Sequence, residues 1–208
     1  MTEQSVASLE PRLQKLVESA RAAFARGDFA HATALAREVL AVAPGCLPVR
    51  QLERAAQLKR GPGRFLARVV GRLMAAPLLL RGHAVRAKDP AGALACAQAA
   101  LERDPHGAAG LRLLGRTAAA LGWRATAVFA FEALCAETPG DPANLIALGR
   151  AQLEAGRADA AVRCAEAVLA REPIHGAAQA LRKDAAVAQT MAAGHWEEGG
   201  DFRTKVKA

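Results

Sequence analysis

The sequence has few aromatic residues and no tyrosine. Aromatic residues make up 4% of the 208 positions, whereas hydrophobic residues make up 52%, so the apolar content is mostly alanine and leucine. Both are good helix formers, and no run of β-branched and aromatic residues alternates with polar residues between turns. These absences argue against a β-sandwich or a β-barrel, and they predict an all-α fold.

The sequence also lacks the patterns of a targeting signal and a membrane span. The first twelve residues are polar, and the most apolar stretch, 69–80, is interrupted by Arg72 and Pro77 and is too short to cross a bilayer. Four cysteines lie far apart, without a CxxC pair: Cys46, Cys96, Cys135 and Cys164. We expect them to be small buried residues in a reducing compartment, which predicts a cytoplasmic location.

Catalytic and metal-binding motifs are missing as well. The glycines around Pro62 are not followed by the Lys-Ser/Thr of a phosphate-binding loop, and no GxSxG motif occurs. His195 lies beside Glu197 and Glu198, but three neighbouring residues without a further ligand make poor metal coordination. We therefore expect no enzyme activity, no cofactor and no metal.

What the sequence does contain is a 34-residue repeat. The segment 108–141 has leucines, glycines, an alanine and a proline at fixed spacing: Leu111, Leu114, Gly115, Gly122, Ala127, Phe131 and Pro139. The next 34 residues repeat this pattern with Leu145, Leu148, Gly149, Gly156, Ala161 and Pro173. Earlier units carry Leu80, Ala93 and Pro105, and then Leu16, Gly27, Ala32 and Pro44. A period of this length is typical of stacked helix pairs.

Each repeated residue type has a physical role in such a pair. Gly122 and its equivalents end the first helix, where positive φ is favoured. Ala127 and its equivalents face the first helix at the closest point, where a larger side chain would separate the pair. Pro139 and its equivalents stop the second helix. Asp89 and Asp141 each precede a proline and are predicted N-caps.

These residues resemble the tetratricopeptide repeat family, in which such units stack into a right-handed superhelix with a concave ligand groove. The resemblance covers about residues 13–175. It implies an all-α, right-handed solenoid of about five antiparallel helix hairpins with a C-terminal capping helix. The large aromatic residue of the family's first helix is replaced here by Ala118 and Gln152, so the chain resembles a small-residue variant.

The repeat predicts a domain organisation. We expect a flexible N-terminus, five units, a cap and a tail: 1–12, 13–46, 47–73, 74–107, 108–141, 142–175, 176–194 and 195–208. Unit 47–73 is compressed, with a helix at 47–59, a turn at 61–63 and a short helix at 64–75 before a new helix begins at Pro77. The alternative is one helix from 64 to 87, kinked at Pro77.

The excess positive charge is local. The net charge is +8, and residues 59–88 contain eight Lys and Arg without any Asp or Glu. A basic amphipathic helix is predicted here, with its arginines on one side: Arg60, Arg64, Arg68 and Arg72. One interpretation is a repeat helix that buries its apolar stripe and leaves the arginines in solvent. The others are contact with an acidic protein, with an anionic membrane surface, or with RNA.

A second basic feature follows from the resemblance. In the family the first helix of each hairpin lines the groove, and on that register Arg21, Arg116 and Arg150 share one repeat position, with Arg112 one turn before Arg116. These residues would bind the carboxylates of an acidic segment or C-terminus of another protein. The asparagines of the family's chaperone-binding clamp are absent, so a chaperone is not the implied ligand. The alternative is solvated arginines paired with nearby acids.

The C-terminal tail holds two of the aromatic residues, Trp196 and Phe202, among glycines and charges. They predict a docking motif or a strap that folds back on the last hairpin, or else an extension that covers the core. Together these features predict a protein-interaction scaffold or adaptor, as a component of a larger assembly. The alternative function is a surface-tethered protein whose helix 59–88 contacts anionic lipid or RNA.

Overall fold

The computed structural model describes residues 2–60 and 65–193. Within them lie ten α-helices, a short 3-10 helix at Val6–Ser8 and no β-strand. The α-helices are α1 (Pro11–Ala25), α2 (Phe29–Val42), α3 (Leu47–Lys59), α4 (Phe65–Val85), α5 (Pro90–Arg103), α6 (Ala108–Ala120), α7 (Arg124–Glu137), α8 (Pro142–Glu154), α9 (Ala158–Leu169) and α10 (Gly176–Ala193). The all-α class predicted from the sequence is confirmed.

The chain divides into two compact units, Met1–Pro139 and Gly140–Ala208. In the first unit, α1 pairs with α2, α4 with α5 and α6 with α7, while α3 packs against α2. In the second unit, α8 pairs with α9, and α10 packs against both. Within the described residues the helices thus pair as α1 with α2, α4 with α5, α6 with α7 and α8 with α9, and α10 follows the last pair.

The hairpins are held at the small residues that the repeat predicts. Ala32, Ala93, Ala127 and Ala161 are all fully buried. On the facing helix of one hairpin, a Cβ added at Gly115 would lie 2.8 Å from the Cζ atom of the Phe131 ring. The Phe131 ring can lie against α6 because Gly115 has no side chain there.

The helix ends also follow the predicted pattern. The carboxylate of Asp89 accepts a hydrogen bond from the Gly92 N–H at 2.8 Å, and that of Asp141 accepts one from the Ala143 N–H at 2.9 Å. The glycines after the first helices have positive φ, 81° at Gly27, 73° at Gly122 and 76° at Gly156. Local sequence therefore determines where each hairpin turns.

The prediction of two helices on either side of Pro77 is wrong. Residues Phe65–Val85 form the single helix α4, with Pro77 inside it, as in the alternative interpretation. Pro77 lies on the exposed side of α4, where the carbonyl group left without an N–H partner can bind water. The second helix predicted for unit 47–73 is therefore part of α4, which pairs with α5.

The sequence predicts a flexible segment at 1–12, and residues that the structure describes there form hydrogen bonds with the rest of the first unit. The Gln4 N–H donates to the Gly45 carbonyl at 3.0 Å. The Glu3 carboxylate accepts hydrogen bonds from the Thr126 N–H and hydroxyl, both at 2.7 Å, and from the Ala125 N–H at 3.3 Å. Trp123, the N-cap residue of α7, has no capping side chain. Glu3 thus satisfies the free N–H groups of α7.

Charged side chains of α3 form hydrogen bonds and ion pairs within the first unit. Arg50 and Glu53 are both 4% exposed. The Arg50 guanidinium donates to the Pro44 carbonyl at 2.8 Å, and Glu53 pairs with Arg37 of α2 at 3.3 Å. Arg54 pairs with Glu137 of α7 at 3.1 Å. These contacts join α3 to the helices on both sides of it.

Burial shifts the titration of this cluster. It raises the pKa of Glu53, although Arg50 and Arg37 act in the opposite direction. Burial also lowers the pKa of Arg50, and the charge of Glu53 offsets only part of this effect. Desolvation therefore exceeds the attraction between the charges, as is common for buried ion pairs.

We predict that Glu3→Ala loosens the start of α7. The exchange of the Ala125 and Thr126 amide protons with solvent should become about tenfold faster, because the lost charge-assisted hydrogen bonds are together worth about 1–2 kcal/mol. Hydrogen exchange followed by NMR measures this. The control is Glu10→Ala, since the Glu10 side chain makes no capping hydrogen bond to α1. Equal exchange rates in both variants would contradict the assignment.

A second prediction concerns Glu53→Gln. Because the folded chain binds the Glu53 proton more tightly than the unfolded chain, this carboxyl stabilises the fold most below its ordinary pKa, and the stabilisation is lost as pH rises through the raised pKa. The free energy of unfolding of the unchanged protein, minus that of the variant, should therefore fall as the pH rises above the ordinary pKa of a glutamate carboxyl. Urea denaturation at several pH values tests this. A difference that grows with pH would refute it.

Candidate functional site

Three of the four arginines expected to bind a partner are exposed. Arg21 lies on α1, Arg116 on α6 and Arg150 on α8. None of these three side chains forms an ion pair with another residue in the described part of the chain. Arg112, one turn before Arg116, is half-buried and already interacts with a neighbouring group.

These arginines do not all belong to one unit. Arg112 and Arg116 lie four residues apart on α6, so their side chains emerge on the same side of that helix. Arg21 is in the same unit on α1, whereas Arg150 is in the second unit. The shared repeat position of Arg116 and Arg150 stays a prediction.

Interior arginines differ from these in having acidic partners. Arg54 is held between the Glu137 carboxylate and the Pro105 carbonyl, each within 3.1 Å. Arg37 contacts both Glu53 and Glu102, at 3.3 and 3.1 Å. Arg37 and Arg54 are thus paired with glutamates, whereas Arg21, Arg116 and Arg150 face solvent without an ion pair among the described residues.

The predicted basic helix is divided between two helices. Arg60 is the C-cap residue of α3, whereas Arg72 lies on α4 and pairs with Asp104 at 3.1 Å. Arg64 and the side chain of Arg68 lie outside the described residues.

The interpretation of α4 as a helix that buries its apolar stripe is wrong. Large apolar side chains of α4 face solvent, and they are Val69, Val70, Leu73, Met74 and Leu80. The side of α4 that faces α5 carries Gly71, Ala75 and Gly82 instead, all of them buried. The contact with α5 is too close to hold larger residues.

A half-open groove of about 290 Å³ lies beside Arg72. Its walls are mostly aliphatic and come from α4, α5 and the start of α6, including Ala75, Leu79 and Ala100. The Arg72–Asp104 ion pair supplies its polar side.

Other candidates offer no reactive chemistry. None of the four cysteines forms a disulfide. Burial raises the pKa of the Cys46 thiol, which disfavours the nucleophilic thiolate. Within the described ranges, no three His, Cys, Asp or Glu side chains are grouped so that they could hold a metal ion. His195 and the predicted docking residues Trp196 and Phe202 lie outside these ranges.

The sequence interpretation missed the charged cluster of α3. Its signal was present, because Arg50, Glu53, Arg54 and Gln57 follow one another at intervals of three, one and three residues and so share a helix side. Such a stripe normally indicates a solvent-exposed surface. Here the other helices of the first unit cover it.

None of the helices in residues 2–60 and 65–193 has both the length and the apolar content needed to cross a bilayer. This holds for α4 as well, although it is the longest helix.

Solved structures with a similar fold include two repeat proteins. One is a tetratricopeptide repeat protein from Parabacteroides merdae ATCC 43184, with 16% identity and a TM-score of 0.51, matched over 89% of this chain and 62% of that one. The chain thus spans less than two thirds of that protein's length. The other is the TPR2AB domain of yeast Sti1 in its pHSP90 complex, with 15% identity and a TM-score of 0.50, matched over 84% and 69%. No curated protein matches the sequence.

The sequence profile of the tetratricopeptide repeat family matches residues 83–142 and 146–190, which together are just over half of the chain. The hairpins with buried alanines at the repeat positions and glycines of positive φ at the turns agree with this match. The chain belongs to the tetratricopeptide repeat family.

Proposed function

We propose that this protein is an adaptor that binds the acidic segment or carboxylate-ending C-terminus of another protein through the arginines of its first helices. Tetratricopeptide repeats are protein-binding scaffolds, so the general role follows from the family. The finer proposal concerns the chemistry of the partner. Its binding residues are Arg21, Arg112, Arg116 and Arg150.

The proposal is carried by the contrast between paired and unpaired arginines. Arg37 and Arg54 are neutralised by glutamates inside the fold, whereas Arg116 and Arg150 have no acidic partner among the described residues. A guanidinium presents several N–H donors in one plane, and a carboxylate can accept two of them at once. An acidic peptide would supply the missing charges.

Helix α6 is the centre of this proposal. The exposed Arg116 is proposed to bind a carboxylate of the partner, and Arg112, which already interacts with another group, lies one turn earlier on the same side. Arg150 is proposed to act in the same way within the second unit. The Sti1 domain, which has a similar fold, forms a complex with pHSP90, so this fold can bind a protein ligand. At 15% identity the similarity concerns the fold and not the ligand.

The proposal includes no catalytic step and no cofactor. It keeps the cytoplasmic location expected from the sequence, because none of the four cysteines forms a disulfide and a reducing compartment keeps thiols reduced. Assembly with an acidic partner would also offset the positive charge of the chain.

The test uses a fluorescein-labelled octaglutamate peptide with a free C-terminus. Replacing Arg112, Arg116 and Arg150 by glutamate should weaken its binding by about tenfold or more, because each attraction becomes a repulsion. Fluorescence anisotropy at a fixed salt concentration measures the affinity. Circular dichroism shows whether the helices remain.

The control variant makes the same change in net charge elsewhere. Arg103, Arg163 and Arg182 are exposed residues of α5, α9 and α10, and their replacement by glutamate should weaken binding much less. If both variants lose affinity equally, binding depends on net charge alone, and the proposed site is wrong. The same holds if neither variant loses it.

A further inference from the structure

Helix α4 presents its large apolar residues to solvent and its small residues to the rest of the fold. The exposed fractions are 40% for Val69, 51% for Val70, 70% for Leu73, 55% for Met74 and 73% for Leu80. Val69, Leu73 and Leu80 follow one another at helical spacing, and Val70 and Met74 lie beside them, so the five form one continuous side of α4. A surface helix normally has the reverse arrangement.

This orientation is imposed by the contact between α4 and α5. A Cβ atom at Gly71 would overlap the carbonyl oxygen of Arg103, which is a backbone atom at the end of α5. At Gly82 a Cβ would lie 3.1 Å from the Cβ of Cys96. Rotating α4 to bury Leu73 or Met74 would bring much larger groups into this contact. The apolar side is therefore held outward.

Basic residues flank this side in the sequence. Residues 59–88 hold eight basic and no acidic residues, a charge of +8 that equals the net charge of the whole chain. Lys59 and Arg60 at the end of α3 are exposed, as are Arg81 on α4 and Lys88 just beyond it. Arg72 contributes less positive charge, because it pairs with Asp104.

We infer that this side of α4 rests on an anionic lipid surface. Exposed aliphatic side chains flanked by Lys and Arg are the composition of helices that lie in the membrane interface, with the apolar side at the acyl boundary and the cations among the headgroups. Contact is parallel to the surface, because α4 is not apolar enough to cross a bilayer.

Lipid fits this surface better than the other anionic partners. The five side chains are aliphatic, whereas single-stranded RNA is held by aromatic stacking. An acidic peptide would satisfy the cations but would leave Leu73 and Leu80 in water. The inference goes beyond the proposed function and uses none of the arginines assigned to it.

The test is sedimentation of the full chain with vesicles. Vesicles of equal parts phosphatidylcholine and phosphatidylglycerol should retain the protein, and phosphatidylcholine vesicles should retain much less. Retention should weaken when salt rises from about 50 mM to about 300 mM, because the attraction between the cations and the headgroups is screened. The variant Leu73→Ser with Met74→Ser should bind anionic vesicles about tenfold more weakly.

A matched control makes the same kind of change on α10. Val187 and Met191 are 51% and 58% exposed, so Val187→Ser with Met191→Ser removes a comparable apolar surface outside α4 and should leave vesicle binding unchanged. Thermal unfolding of both variants verifies that they remain folded.

Three results would overturn the inference. The first is no preference for anionic vesicles, and the second is equal vesicle binding by the two double variants. The third is that the protein changes the electrophoretic mobility of a 20-nucleotide RNA but sediments with neither kind of vesicle. A failure here leaves the octaglutamate experiment unaffected, so the two proposals are tested separately.

Discussion

Close approach of paired helices is the constraint on which this structure depends. Ala93 and Ala127 are fully buried in their hairpins, and in one hairpin Gly115 lies against the ring of Phe131. An added side chain at such a point would cost about 1–3 kcal/mol through overpacking. The same constraint acts between α4 and α5, where Gly71 meets the carbonyl group of Arg103. It leaves the bulky residues of α4 no place in the interior, and so it generates the outward apolar surface.

Charge is distributed according to the same packing. Where α3 fills the space between α2 and the later helices, its Arg50 and Glu53 are buried and need partners. They find them in the Pro44 carbonyl and in Arg37. Arg116 of α6 and Arg150 of α8 face solvent instead, so they keep their full charge at the surface. Arginine thus makes structural contacts in the interior and faces solvent on α6 and α8.

The sequence predicted features that depend on neighbours along the chain. Gly122 and Asp141 act within one turn of their own position, so their roles could be assigned without coordinates. Features that depend on distant contacts were missed. Pro77 predicted a helix boundary, since proline usually interrupts a helix. Local sequence cannot show that Pro77 lies on a side of α4 that faces water, where a helix tolerates it. Arg50 and Glu53 resembled a solvated stripe because the helices that cover them come later in the chain.

The candidate sites also depend on more than local sequence. Arg116 and Arg150 are exposed in the structure, whereas the repeat position that they are predicted to share stays a prediction. The outward orientation of Leu73 and Met74 was not predicted. The pattern of α4 alone is amphipathic, and only the approach of Gly71 to α5 determines which side is inward.

The bond between Glu3 and Thr126 has a consequence for biosynthesis. Most contacts in a helix hairpin join residues close in sequence, and such contacts form early and fast. Glu3 is separated from Thr126 by 123 positions. On the ribosome the N-terminal residues emerge first, yet their partner does not exist until α7 has been translated. The hydrogen bonds between Glu3 and α7 are therefore among the last contacts of the first unit to form, later than the bond from Gln4 to Gly45.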